Sequence, residues 1–340
     1  MIFNFNRNEL SASNDLIKNL YKKNIYGFDV LFYYGDFYMD GERFFPITTG
    51  YETSLDLFSC LTKKKYENYF SINKDFFNNV EFQHEDCFIV GSNKYNNYYH
   101  NLIDFYQRLL LANRFMDKKI ILGTFNYENV ISKIINTLNI KNEISYVDYS
   151  FRKYTKSIFV VNDFTRAANL YNKLFAKNDL ELKKFTYISR KDSNHRHLSN
   201  EDEVIEMLKN YGFGIYELSK MDFDSQIKLF SSSSIILSLH GAGLTNLVFS
   251  QPGQKVIEIV PNMFLNDDDF FSPLEQTQFD NYQRLYFKNI CRVNKLKHFF
   301  YFANTPDKNI NTTNLMSNYT KLNLKINIER FKTFLENLIK

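Results

Sequence analysis

Residues 234–246 read SIILSLHGAGLTN, and they decide the fold class. The first six form a short apolar run of the kind that is buried on both faces in a parallel sheet. A turn of small residues follows at once, and a helix begins after it. A strand that runs through a tight turn into a helix is the repeating unit of α/β proteins.

The alternation of strand and helix continues on both sides of this stretch. Short apolar runs predict strands, and apolar residues three and four positions apart predict helices. Strands are predicted at 87–90, 120–122, 144–147, 185–188, 214–218 and 256–260, and helices at 98–115, 130–138, 200–210, 223–230 and 327–338. Such an alternation predicts parallel sheets with helices on both faces.

The strand–helix order starts afresh near residue 185, so we predict two domains. The 340 residues suffice for two units of ordinary size. We place a first Rossmann-like domain at 1–165 and a second at 166–325. The amphipathic helix at 326–340 could pack back on the first domain.

The turn after the apolar strand has the features of an anion site. Gly241 and Gly243 let a ligand approach the backbone closely, and the N–H groups at a helix start favour an anion such as a diphosphate. Open α/β sheets bind ligands at the carboxyl ends of their strands. The turn has neither a Walker lysine nor the full G-x-G-x-x-G fingerprint. The alternative is an ordinary strand–helix turn in which His240 caps the helix.

A second polar cluster, SRKDSNHRH at 189–197, follows the strand predicted at 185–188. Arg190 lies nearest to the end of that strand, where a guanidinium can bind phosphate oxygens in a bidentate manner. A solvated basic loop is the simpler explanation for the remaining basic residues, Lys191, His195, Arg196 and His197.

A third cluster lies at the start of the helix predicted at 98–115. His100, Asp104 and Arg108 are spaced by four residues and therefore share one helical face. Such a polar stripe can face a cleft and supply a general base. Asp104 and Arg108 could equally form a surface ion pair worth about 0.2–0.5 kcal/mol.

The acidic run at 267–269 and the net charge of the chain argue against two classes of function. Asp267, Asp268 and Asp269 invite comparison with the Asp-x-Asp metal motif of sugar transferases, but they follow no predicted strand, so we predict a solvated turn and no metal site. The net charge of +4 is too balanced for a dedicated nucleic-acid binder. It permits weak attraction to an anionic membrane surface.

The sequence also bears on the compartment. Three cysteines without a CxxC motif fit a reducing environment. We find no basic start followed by an apolar run of signal-peptide length, and no apolar stretch of about 18 residues. We therefore expect a cytoplasmic protein, peripheral at most at the inner face of the membrane. Nothing in the sequence indicates an oligomeric state.

Three segments together resemble the family 61 glycosyltransferases in order and in content. They are NYYHNLIDFYQRL at 97–109, YISRKDSNHRHLSNEDEV at 187–204, and the block at 212–261 that contains SIILSLHGAGLTN and KVIEIVP. This family includes xylosyl- and GlcNAc-transferases and proteins of capsular polysaccharide biosynthesis. The chain has no Trp, whereas relatives often carry one beside the position of His100, so the resemblance does not describe the acceptor pocket.

The resemblance implies a GT-B architecture, in which two Rossmann-like domains face a central cleft. It also implies an inverting, metal-independent transfer from a nucleotide-diphosphate sugar, with UDP as the first candidate, to a hydroxyl of a glycan acceptor. It assigns donor binding to residues of the second domain, namely Arg190, His240, Gly241, Ala242, Gly243, Asn246 and Glu258.

Inversion requires a base that takes the proton of the acceptor hydroxyl as the diphosphate leaves. We expect Asp104 in this role, with His100 as the next candidate. Arg190 and the amides after His240 are expected to stabilise the leaving group. No cofactor is expected, because the nucleotide sugar is a co-substrate. The acceptor is expected to be a glycan or lipid-linked saccharide of surface polysaccharide biosynthesis.

Two other functions stay open at this point. A catalytically inactive member of the family could bind glycans or nucleotides as a scaffold. A phosphotransferase with an α/β fold fits less well, because the chain has no lysine-bearing phosphate loop.

Overall fold

The structure, a computed structural model, divides the chain into two compact units, Met1–Ala167 and Ala168–Lys340. The division falls two residues after the boundary that we placed at 165. The residues it describes are 20–25, 28–39, 44–46, 80, 82–91, 97–123, 127–148, 150, 152–160, 168–175, 182, 184–193, 196–261, 270–273, 286–305 and 323–339.

The first unit contains an eight-stranded sheet of mixed direction. Its strands are β1 (Leu20–Ile25), β2 (Phe28–Met39), β3 (Phe44–Pro46), β4 (Phe82–Glu85), β5 (Cys87–Gly91), β6 (Lys119–Gly123), β7 (Ile144–Val147) and β8 (Arg152–Val160). The order is β1-β2-β8-β5-β6-β7, with β3 on β2 and β4 on β8. Strands β8, β5, β6 and β7 run parallel, whereas β2 is antiparallel to β8.

Two helical segments connect the parallel strands of this unit. The first follows β5 and has wide π turns over His100–Phe105 and tight 3-10 turns over Tyr106–Arg114. The second is α1, Glu128–Leu138. Both confirm the helices predicted at 98–115 and 130–138, because the apolar residues that set the period are buried.

The second unit contains a six-stranded sheet in the order β10-β9-β11-β12-β14-β13. Its strands are β9 (Lys184–Ile188), β10 (Phe213–Tyr216), β11 (Ser233–Leu239), β12 (Lys255–Pro261), β13 (Phe270–Pro273) and β14 (Lys297–Ala303). All pairs are parallel except β13 with β14. From β9 the chain moves to β10 on one side and then to β11 on the other, so the switch point of this sheet lies between β9 and β11.

Helices connect these strands as the alternation predicts. They are α2 (Ala168–Phe175), α3 (Glu201–Asn210), α4 (Phe223–Ser232), α5 (Tyr286–Val293) and α6 (Ile328–Ile339), together with 3-10 helices at Leu218–Lys220 and Ala242–Phe249. Nearly every residue of β11 and β12 is buried, which explains their continuous apolar runs. The mixed α/β architecture with parallel sheets is confirmed and is compatible with a Rossmann-like fold.

The last helix, α6, belongs to the core of the second unit. The rings of Phe331 and Phe334 lie 4.6 and 5.5 Å from that of Tyr301 on β14. Leu335 and Leu338 are buried in the same cluster. The sequence suggested that this helix could cross to the first domain. The structure instead uses its apolar stripe to cover one face of the second sheet.

Asn200 ties the segment before α6 to the start of α3. It precedes Glu201, as an N-cap residue would, but its side chain makes no capping hydrogen bond. Its Nδ2 donates to the carbonyl of Ile326 at 2.8 Å, and the amide of Ile326 donates to its Oδ1 at 3.1 Å. Asn200 is therefore a bridge between segments that lie far apart in the sequence.

Candidate functional site

Arg190 lies just beyond β9, at the switch point of the second sheet. Its Nη2 donates to Oγ of Ser193 at 2.7 Å, and its Nε donates to the carbonyl of Arg196 at 3.4 Å. Burial, followed by the positive charge of Arg196, lowers the pKa of Arg190 to about 10. The guanidinium therefore still carries its charge at neutral pH, although it is largely removed from water.

Arg196 places a second guanidinium at the same strand ends. It is buried, and its Nη1 donates to the carbonyl of His240. Its backbone has a φ of 65°, in the left-handed region that non-glycine residues seldom adopt. The sequence explained Arg196 as part of a solvated loop, and that interpretation is wrong, because the bent backbone turns the side chain inward against the end of β11.

The turn after β11 packs directly on Arg190. A Cβ added at Gly241 would lie 1.8 Å from Nη1 of Arg190, so the guanidinium occupies the space that any side chain would need. Gly241 itself is extended, with a φ of 175°, which means that close approach and not backbone strain requires glycine here. A Cβ at Gly243 would meet Cδ1 of Leu218 at 2.9 Å and Cγ2 of Ile188 at 4.0 Å. The 3-10 helix begins at Ala242, between these two glycines.

The alternative interpretation, in which His240 caps that helix, is wrong. Its Nδ1 is hydrogen-bonded to Oε1 of Glu258, the central residue of β12. The second carboxylate oxygen of Glu258 accepts from Nε2 of His298 at 2.9 Å. The ring of Phe287 on α5 lies 5.2 Å from that of His240. The ring of His240 is thus held by contacts with β12 and α5.

The hydrogen bonds among His240, Glu258 and His298 determine the ionisation of Glu258 and His298. Burial opposes a charge on Glu258, yet His240 and His298 outweigh it and lower the pKa of the carboxyl to about 2. Burial likewise disfavours a charge on His298, but Cys291 and Glu258 outweigh it and raise the pKa of this imidazole to about 10. Glu258 is therefore an anion beside a cationic His298 at neutral pH.

Asn246, in the 3-10 helix after the turn, links this helix to α4. It is fully buried, and its Nδ2 donates to Oε1 of Gln226 at 2.8 Å. Nε2 of Gln226 in turn donates to the carbonyls of Leu218 and Met221, in the loop after β10. The structure gives Asn246 a role in holding this loop, and the donor contact expected from the sequence stays a prediction.

In the first unit, the three polar residues predicted on the helix after β5 have different partners. Nδ1 of His100 lies 2.6 Å from Oδ2 of Asp104, and both side chains are about one-third exposed, at 33% and 39%. Arg108 is half-buried instead, and its Nη1 and Nε donate to the carbonyls of Val90 and Val160 at the ends of β5 and β8. Burial lowers the pKa of Arg108 to about 10. Asp104 thus pairs with His100, and Arg108 joins two strands.

Among the described residues, no cluster of three or more His, Cys, Asp or Glu side chains could hold a metal ion. Nor does that part of the chain contain a helix with the length and apolar character that crossing a bilayer requires. The acidic turn at Asp267–Asp269 lies outside the described residues, as does His195, so the predictions made for them stay predictions.

Comparison with known proteins shows which family this part of the chain is similar to. Residues 98–257 match the glycosyltransferase 61 family. The family 61 segment covers just under half of the chain and contains the His100–Asp104 pair, both arginines and the His240 turn. Glu258 lies directly after its end, and His298 lies well beyond it. The resemblance stated from three sequence segments is therefore confirmed.

Two plant proteins are similar to parts of this chain. A beta-1,2-xylosyltransferase of rice, Oryza sativa subsp. japonica, is 30% identical over 108 residues, which make up 29% of this chain and 20% of the rice protein. A xylan glycosyltransferase of Arabidopsis thaliana is 31% identical over 70 residues, 19% of this chain and 14% of the plant protein. The chain thus matches a fifth or less of the length of these relatives.

Proposed function

We propose that this chain is a glycosyltransferase that moves a sugar from a nucleotide-diphosphate sugar, with UDP as the first candidate, to a hydroxyl of a glycan acceptor. The family 61 match and the names of both plant relatives support the class of reaction. One observation carries the choice of donor: two guanidinium groups, that of half-buried Arg190 and that of buried Arg196, converge on the glycine turn after β11.

Two like charges in a poorly solvated place repel each other, and a diphosphate offsets that repulsion. Arginine presents a planar fork of donors that matches phosphate oxygens. The turn adds the amides of Ala242 and Gly243 at the start of a helix, where an anion is favoured. Both arginines and the turn lie at the switch point of a parallel sheet, where open α/β sheets bind ligands. The donor diphosphate is the chemical group that fits these features together.

For the acceptor, we assign the base to the His100–Asp104 pair. Histidine is the side chain that most often acts as a general base. A carboxylate on Nδ1 fixes the tautomer of such a ring and stabilises its protonated form. The geometry therefore favours His100 as the group that takes the proton, with Asp104 orienting it. This order is the reverse of the one preferred from the sequence.

The proposed step is a single displacement. The acceptor oxygen bonds to the anomeric carbon while the bond from that carbon to the diphosphate oxygen breaks. The proton of the hydroxyl passes to His100, and the negative charge that develops on the diphosphate is stabilised by Arg190, Arg196 and the turn amides. The product has the inverted configuration, and the step needs no metal ion.

The remaining parts of the proposal follow the resemblance. They are the GT-B architecture, a glycan or lipid-linked saccharide as acceptor, a role in surface polysaccharide biosynthesis, and a cytoplasmic location. Donor contacts from Gly243 and Asn246 belong to the same set.

A thermal-shift screen followed by a transfer assay tests the proposal. The protein is heated with UDP-, GDP-, CMP- and dTDP-sugars, and we expect one nucleotide to raise the melting temperature. The stabilising sugar nucleotide is then incubated with the protein, with and without glycan acceptors. Release of nucleotide that depends on an acceptor supports a transferase. Binding without any turnover would favour the inactive scaffold, and the absence of binding to all four would overturn the donor site.

A further inference from the structure

Glu258 lies between two histidines on one face of the second sheet. It pairs in register with Ser238 of β11, two residues before His240. His298 of β14 pairs with Val256 of β12, two residues before Glu258. Side chains two residues apart on a strand share a face, so the three groups step diagonally across three neighbouring strands. Together they form what we call the His–Glu–His row, His240–Glu258–His298.

The row is buried along its whole length. The side chains of His240, Glu258 and His298 are 9%, 3% and 4% exposed. Both carboxylate oxygens of Glu258 are used, one by each histidine. A group so enclosed leaves almost no surface for the donor contact that the resemblance implied for Glu258. Its position next to the donor turn therefore needs another explanation.

A buried carboxylate requires a positive charge nearby. Either histidine of the row could supply it, but the surroundings distinguish them. The titratable groups facing His298 are Glu258 from β12 and Cys291 from α5, and both raise its pKa against the effect of burial. Nε2 of His298 lies 2.9 Å from Oε2 of Glu258, so a charge on this ring lies directly against the carboxylate. His298 is the natural holder of the charge.

Resting on the proposed donor site, we propose that Glu258 and His298 are positioning residues for His240 and that neither touches the donor. His298 supplies the positive charge, Glu258 accepts the hydrogen of Nδ1 of His240, and the ring that starts the donor turn is thereby held in one orientation without having to be charged itself. The backbone of His240 links this row to the donor site, because its carbonyl accepts from Arg196 and the next residue is Gly241.

Nuclear magnetic resonance of protein labelled with ¹⁵N at histidine tests the protonation part directly. At pH 8, we expect His298 to show two protonated ring nitrogens and His240 to show one, on Nδ1. The variants His298→Gln, His240→Gln and Glu258→Gln assign the signals. The variants serve only to assign the signals, and the main result is read from the wild-type protein without a ligand. A wild-type spectrum in which His298 loses its proton near pH 6.5, as an ordinary imidazole does, overturns the proposal.

His298→Gln then tests whether the charge matters to His240. Glutamine keeps a donor near the position of Nε2 but carries no charge. We expect His240 to take up the proton that His298 no longer holds, and its ¹⁵N signals to change accordingly. If His298 merely fills space, glutamine fills it too and the signals of His240 stay as they are. Should His298→Gln not fold, Glu258→Gln, which removes the need for a charge, must release the proton from His298.

Calorimetry with UDP separates this inference from the proposed function. We expect His298→Gln to weaken UDP binding roughly three- to tenfold, about the worth of one hydrogen bond. His197→Gln, on the loop before α3, is the matched control for the exchange. If wild-type protein binds UDP and His298→Gln binds it equally well, the positioning role is wrong and the donor site stands. If wild-type protein does not bind UDP, the proposed nucleotide is wrong, whereas the proton assignment is still decided by the spectra.

Discussion

Nη1 of Arg190 lies where the side chain of residue 241 would begin, within 1.8 Å of a Cβ on Gly241. The two residues come from loops after different strands, β9 and β11, which are neighbours in register. The glycine therefore serves to admit a guanidinium from the adjacent strand end. Because the φ of Gly241 is extended, the need for glycine here is steric, and this distinguishes it from Gly243 in a testable way.

Gly241→Ala should displace the guanidinium of Arg190 and weaken nucleotide binding. A Cβ at 1.8 Å from a charged, largely buried group cannot be accommodated without moving that group. We expect a loss of UDP affinity on the order of tenfold or more by calorimetry. Gly243→Ala is the comparison, since its Cβ would come within 3 Å only of the flexible end of Leu218, and it should cost less. Equal losses for both variants would contradict the steric argument.

Arg190→Ala should weaken UDP binding about ten- to hundredfold, the worth of a charge-assisted hydrogen bond to phosphate. Lys191→Ala is the matched control, because it removes a neighbouring positive charge whose side chain is 45% exposed and paired with Asp202. We expect the control to bind UDP nearly as well as the wild type. If both variants lose affinity to the same extent, general attraction to a basic loop is the better explanation.

The part of the site that could be predicted from the sequence is the part that depends on local order. Residues 234–246 predict a buried strand, a turn and a helix. Parallel strands bring their carboxyl ends to one edge of the sheet. Arg190 follows a strand end by two residues, so its approach to the turn could be anticipated. His100 and Asp104 are one helical turn apart, which suffices to expect contact.

Arg196 and His298 could not be found in this way, because their environments are made by distant contacts. Arg196 is buried through one left-handed backbone conformation and a hydrogen bond to His240, 44 positions away. His298 meets Glu258 from 40 positions away, on a strand whose sequence, KHFFYFA, begins with polar residues and resembles no recognised motif. Strand β8, RKYTKSIFV, was missed for a similar reason, since its first half is polar.

Asp104→Asn should reduce transfer by about 10²–10⁴-fold while UDP binding is unchanged. An amide cannot stabilise the imidazolium that His100 forms on taking the proton, and it no longer fixes the tautomer of the ring. His100→Gln should lose a comparable factor, and the double variant should lose little more, because the two residues act as a unit. Asp117→Asn, with a side chain that is 76% exposed, is the control on the same unit. Turnover at the wild-type rate in Asp104→Asn would rule the pair out as the base.

Stability should depend on pH through His298. Its pKa is raised from 6.5 to about 10 in the folded protein, so the stability it contributes is fully present below pH 6.5 and is lost as pH rises towards 10. We expect His298→Gln to lower the free energy of unfolding by roughly 1–3 kcal/mol at pH 6 and by much less near pH 10. Urea denaturation of both proteins at the two pH values measures this difference. A gap that is equal at both pH values would mean that the proton on His298 contributes nothing.

Asn200→Ala should destabilise the second unit without affecting the donor site. Its buried side chain makes two hydrogen bonds to the backbone of Ile326, and an alanine would leave both backbone groups without these partners. We expect a loss of about 1–3 kcal/mol in the free energy of unfolding. Asn210→Ala, at the exposed end of α3, is the control and should change stability by less than about 0.5 kcal/mol. The side chain of Asn200 is hydrogen-bonded to Ile326, which is not part of the proposed donor site. UDP affinity, measured under conditions in which the protein is folded, should therefore be the same in the wild type, Asn200→Ala and Asn210→Ala. A loss of UDP affinity in Asn200→Ala at full folding would show that the attachment of α6 also shapes the strand ends that bind the nucleotide.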